Sequence, residues 1–218
     1  MILLAYLLVI FICLFILFVL SRHDFVLLRQ SINLRQVFDS AFIVIFISFI
    51  VARLSYIAYT QNFNLINPLR FIYLTRYWGI VPFLGLLIVC LTLSVLFRKK
   101  KNILRIFDIY FIAFSPLILL DILFQPSLGI SNLIKIISIL ILSIFYIWFI
   151  KIHNKFNVKD GFTTALIFIT YSLVSLSLSF ANVGFFNIKY VWYHLVLFIS
   201  LIGFSVMFVL VQRNFFKK

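Results

Sequence analysis

Apolar residues run through this chain in long blocks, and polar positions collect in the short gaps between them. The blocks lie at about 2–20, 37–59, 79–97, 106–124, 133–150, 161–181 and 191–211. Each is close to the roughly 18–20 residues a helix needs to cross a bilayer, whereas a membrane barrel would alternate apolar and polar positions over about 10-residue strands. The pattern predicts an all-α, polytopic membrane protein with seven transmembrane helices in one integral domain, residues 1–218. The first block lacks a basic leading segment and a small-x-small cleavage site, so the expectation is a retained helix rather than a signal peptide.

Composition strengthens this reading. The 218 residues are 65% hydrophobic and 11% charged, with a mean hydropathy of +1.23, more apolar than a water-soluble core of this size requires. Net charge is +14, and its placement matters more than its size. Arg22, Arg29 and Arg35 follow the first block, and Arg98, Lys99, Lys100, Lys101 and Arg105 the third. Lys151, Lys155 and Lys159 follow the fifth, and Arg213, Lys217 and Lys218 the seventh. Against these fourteen, the opposite side holds Arg70, Arg76, Lys189 and Lys135. Basic residues accumulate on the cytoplasmic side, which predicts the amino terminus outside and the carboxyl terminus inside. Cations at block ends set topology and meet anionic lipid heads, so no nucleic-acid partner is expected.

Few residues are equipped for chemistry. Cys13 and Cys90 lie inside apolar blocks and read as small buried hydrophobes, and Phe11 and Ile12 make Cys13 a poor lipid-acceptor cysteine. No acid pair, metal-ligand cluster or nucleophile elbow is present, and neither metal nor cofactor is expected. Asp24, Asp39, Asp108 and Asp160 fall at cytoplasmic block ends, where they are expected to cap helices or pair with nearby cations. His23 and His153 share that side, while His194 sits at the outer start of the seventh block, the one histidine available for proton transfer there. Asn67-Pro68 reads as a helix start, with Leu69, Ile72, Tyr73 and Arg76 following at helical spacing in a short interfacial helix. Pro82 and Pro116 are expected to kink the third and fourth helices. Arg53 stands inside the second block, where a cation costs about 2.5–3.5 kcal/mol unless it meets a partner. Asp121 lies at a similar depth in the fourth block with Gln125 one turn beyond, so an Arg53–Asp121 pair is expected, Gln125 accepting a further guanidinium hydrogen. The competing partner for Arg53 is a lipid phosphate.

The segment Ala52-Arg53-Leu54-Ser55-Tyr56, then Asn67-Pro68-Leu69, then Trp78-Gly79 with Phe83 and Gly85-Leu86-Leu87, resembles the prolipoprotein diacylglyceryl transferase family. Block order and loop charge extend the resemblance over most of the chain, but its specific motif is confined to 51–87. The resemblance implies a multi-pass protein of a bacterial-type plasma membrane. It further implies an activity that moves a diacylglyceryl group from phosphatidylglycerol to the lipobox cysteine of a prolipoprotein. The partners implied are that anionic phospholipid and the prolipoprotein signal peptide. Arg53, Tyr56 and Trp78 stand at positions the resemblance carries over; with Arg70 and Arg76 of the expected interfacial helix, and Asp121 and Gln125 opposite Arg53, they are the candidate lipid-binding residues.

Three parts of the family's pattern are replaced. Its Phe-His-Gly-Gly reads Phe83-Leu84-Gly85-Leu86, and its Gly-Arg-Ile-Gly-Asn reads Asp121-Ile122-Leu123-Phe124-Gln125. Its Tyr-Gly-x-x-Arg reads Tyr171-Ser172-Leu173-Val174-Ser175. Two readings therefore stand side by side: a divergent transferase, using Arg53, Arg70 or Arg76 for phosphate and a base the sequence does not identify, with His194 a minor candidate, and a non-catalytic lipid- or partner-binding homologue of that fold. A small-solute transporter is a weaker third, since no pair of broken helices is evident.

Overall fold

The computed structural model describes residues 2–22, 24, 27, 32–60, 80–98, 103–124, 132–153 and 160–183, together with Ile199, Ile202, Gly203 and Val206. These residues form six helices: α1 (Ile2–Arg22), α2 (Leu34–Thr60), α3 (Ile80–Leu96), α4 (Ile103–Phe124), α5 (Asn132–His153) and α6 (Phe162–Val183). No strand occurs among them. The six helices coincide with the first six apolar blocks, each end shifting by a few residues at most. The seventh block lies outside the described residues except for the four isolated positions just named, all of them helical. By length and composition, one described helix carries a stretch long and apolar enough to cross a membrane, Leu34–Val51 of α2. Shorter apolar helical stretches are Tyr6–Arg22, Ile136–Lys151 and Phe162–Val174.

The chain divides into two compact units. One comprises Met1–Ile103 with Pro116–Pro126, the other Leu104–Ser115 with Ser127–Lys218. In the first, α2 packs against α3 and α1 against α2. Cys13, Leu17 and Ser21 form the buried edge of α1, spaced one turn apart, while Leu4, Leu8, Phe11 and Phe15 lie on its exposed face. Phe18 meets Phe38 with ring centroids 6.3 Å apart, joining the end of α1 to the start of α2. Between them Asp24 accepts the Leu27 N–H at 3.2 Å, the bond an N-cap makes to the third residue beyond it. Asp39 stands 3.9 Å from Arg35, both well exposed. Asp24 thus makes a cap-type bond and Asp39 an ion pair, the two kinds of partner expected of these carboxylates.

Hydroxyls inside the helices bond back to their own backbone. Ser21 donates to the Leu17 carbonyl at 2.6 Å, Ser40 to Gln36 at 2.8 Å, Ser94 to Cys90 at 2.7 Å and Ser143 to Ile139 at 2.7 Å. This is how a polar side chain is carried in an apolar helix without an outside partner. The two prolines differ in consequence. Pro82 falls in the first turn of α3, where N–H groups have no helical acceptor and a missing one costs nothing. Pro116 is interior to α4 and denies the Ile112 carbonyl its usual donor. Ser115 supplies the replacement, its hydroxyl donating to Ile112 at 2.9 Å.

In the second unit α5 packs against α6. The first half of α4 is its most enclosed element, because every residue from Ile106 to Ala113 is buried. A helix buried on all sides must be apolar all round, and Asp108 is the single exception in that stretch.

Candidate functional site

Asp108 has no exposed surface, so its carboxylate must be satisfied within the protein. The partners come from the start of α6. Gly161 donates its N–H to Asp108 Oδ2 at 2.7 Å. Thr164 donates its N–H to Oδ1 at 2.7 Å and its hydroxyl to the same oxygen at 2.7 Å. The local sequence explains why the acceptor comes from so far along the chain. Gly161 accepts the first helical bond, from Ala165 N–H at 3.1 Å, and therefore occupies the N-cap. Its backbone has φ +89°, a conformation that favours glycine, and glycine has no side chain to cap the helix. A carboxylate from another helix fills the role, placed where the positive end of the α6 dipole favours negative charge.

Two neighbouring contacts continue the seam. A methyl group built on Gly161 would lie 3.3 Å from Leu104 Cβ, and Phe111 meets Phe168 with centroids 4.6 Å apart. Leu104, Asp108 and Phe111 thus face Gly161, Thr164 and Phe168 in the same order, so the paired parts of α4 and α6 run parallel. The aromatic pair adds about 0.5–1.5 kcal/mol beyond the area it buries.

Chemically the cluster is closed. Both carboxylate oxygens are engaged by buried donors, which suits a structural clamp rather than proton transfer to a substrate. Among the described residues, Ser48 on α2 and Thr163 and Ser172 on α6 carry buried hydroxyls without a hydrogen-bond partner. Among the described residues no three His, Cys, Asp or Glu side chains come together as a metal would need.

The lipid-handling residues expected from the sequence are placed only in part. Arg53 and Tyr56 lie on α2, and Asp121 lies on α4 three residues before its end. Their side chains are outside the described part, as are Arg70, Arg76, Trp78, Gln125 and His194 entirely. Neither the Arg53–Asp121 pair nor the helix expected after Asn67 is therefore among the described features. The Asp108–Gly161–Thr164 cluster was legible only in half: the sequence marks Asp108 as a capping carboxylate, but not which helix it caps. The available signal was the Asp160-Gly161 turn, whose glycine cannot supply a side-chain cap. No family model matches the chain, and no curated protein or solved structure matches it either.

Proposed function

We propose that this chain is a multi-pass protein of a bacterial-type plasma membrane that holds phosphatidylglycerol on a frame of the diacylglyceryl transferase type, with little or no transfer activity. The observation that carries the membrane reading is the outward display of large apolar side chains in both units. Phe11 is 73% exposed, Phe46 66% and Ile144 68%, a surface that in water would drive aggregation. Up-and-down crossing is supported by the parallel pairing of α4 with α6, since a single crossing between them, α5, would return the chain to its starting side.

The lipid reading rests on the resemblance over 51–87 and on Arg53, Arg70 and Arg76, which are suited to a phosphate by charge-assisted hydrogen bonds. The weak-activity reading rests on Leu84 standing at the histidine position and on the neutral residues at the family's arginine positions. Loss of a general base alone slows such chemistry about 10²–10⁴-fold. Acyl-labelled phosphatidylglycerol with a lipobox peptide provides the test, run beside native mass spectrometry of the purified protein. The expected result is retained phosphatidylglycerol, diminished by Arg70→Gln with Arg76→Gln, and little thioether product. Robust product that disappears in His194→Ala would establish the transferase instead.

A further inference from the structure

From Ile137 to Lys151, α5 carries a surface that neither the Asp108 cluster nor the outer lipid site uses. Ile137, Leu140, Ile144, Ile147 and Trp148 are all exposed, and Lys151, one turn beyond, is exposed at the end of the same stripe. The indole is held in place. Its ring lies 5.8 Å from that of Phe149, which is buried, and 6.3 Å from that of Phe145 in an edge-on arrangement. Among the described residues neither Trp148 nor Lys151 makes a hydrogen bond or ion pair. α5 itself contains no aspartate or glutamate to pair with Lys151 along the helix.

The dimensions select an occupant. Eleven residues separate Ile137 from Trp148, or about 16 Å of helix at 1.5 Å per residue, and half of a hydrocarbon core of about 30 Å is about 15 Å. An acyl chain from one leaflet would therefore lie along the isoleucine stripe while its head group reached Trp148 and Lys151. An amphipathic indole beside a cation is the usual furniture of that level. We infer that this face of α5 binds an anionic glycerophospholipid, its phosphate between the Trp148 indole N–H and the Lys151 ammonium and its acyl chain along Ile137–Ile147. The inference rests on the membrane reading above. In the orientation proposed from the basic loops, this lipid belongs to the cytoplasmic leaflet, opposite the site assigned to Arg70 and Arg76.

Brominated lipids test it, because bromine on an acyl chain quenches a tryptophan it touches. The protein is reconstituted in vesicles containing brominated phosphatidylglycerol or brominated phosphatidylcholine at equal mole fraction. Its quenching is compared with that of Trp148→Phe, so that the difference reports Trp148 alone. The expected result is a preference of about fivefold for phosphatidylglycerol, the effect of one lysine near an anionic surface, lost in Lys151→Gln. Equal quenching by both lipids would overturn the anionic site while leaving membrane insertion intact. Absence of quenching by either, in protein that floats with the vesicles after an alkaline wash, would show that another protein surface covers the stripe. Protein that fails to float would overturn the membrane reading itself. Circular dichroism confirms that both variants keep their helix content.

Discussion

Truncating Asp108 to alanine removes one carboxylate and strands three donors: Gly161 N–H, Thr164 N–H and the Thr164 hydroxyl, each at 2.7 Å in the intact cluster. The hydroxyl has an escape, since it can rotate toward the carbonyl of Gly161 three residues earlier, the first one in the helical ladder. The two backbone donors do not, because Gly161 and Thr164 are both buried. Each buried donor left without an acceptor costs about 1–3 kcal/mol, so the substitution should cost about 2–6 kcal/mol. Removing a buried carboxylate also relieves its desolvation, which is why some buried charges can be replaced by apolar residues at no loss. That relief is outweighed here, because the donors stay behind when the acceptor leaves. Asp108→Asn should fall between, since its carbonyl still serves Thr164 while its amide N–H₂ confronts the Gly161 N–H. Thr164→Val deletes one hydroxyl bond and should cost about 1 kcal/mol. The assay is denaturant unfolding of the detergent-purified protein, with Asp108→Ala, Thr164→Val and the double variant closing a cycle. A cost below about 1 kcal/mol for Asp108→Ala, or additivity of the pair to within about 0.5 kcal/mol, would refute the clamp.

A second cycle addresses α4. Ser115→Ala should cost about 1–2 kcal/mol by stranding the Ile112 carbonyl, and that cost should largely vanish in a Pro116→Ala background, where a backbone N–H is available again; equal costs in both backgrounds would disprove the compensation. Topology is open to reporter fusions: junctions at Lys100 and Lys155 should report cytoplasm, and those at Asn67 and Gly129 the outside, with reversal at two sites refuting the proposed orientation.

Helix positions were legible because an apolar block fixes a helix's extent with little help from its surroundings. Leu34–Thr60 and Phe162–Val183 follow from their own residues, and only cap geometry shifts their ends. Partnership between helices was not legible. Asp108 reads as a cap from its place near a block end, yet a cap bonds whichever helix-end N–H lies nearest in space, and here that belongs to a helix start more than fifty residues later. Pro82 shows the reverse error. A proline inside an apolar block reads as a kink, but α3 begins only two residues before it, and at that position the missing N–H has no consequence. The surface of α5 escaped the sequence reading because Trp148 and Lys151 are unremarkable letters until burial shows which side of the helix they occupy.

The distance along the chain between Asp108 and its donors has a temporal consequence. Translation at about 5–20 residues per second separates Asp108 from Thr164, 56 positions later, by roughly 3–11 s. Throughout that interval the nascent α4 carries a carboxylate whose donors do not yet exist, within a stretch otherwise destined to be enclosed. The finished arrangement of α4 is therefore unavailable to the growing chain, and Asp108 must keep access to water or to a temporary donor until α5 has been made and the Asp160-Gly161 turn emerges. Closure of the clamp is then a late assembly event that registers whether the chain has been made through α5 to the start of α6.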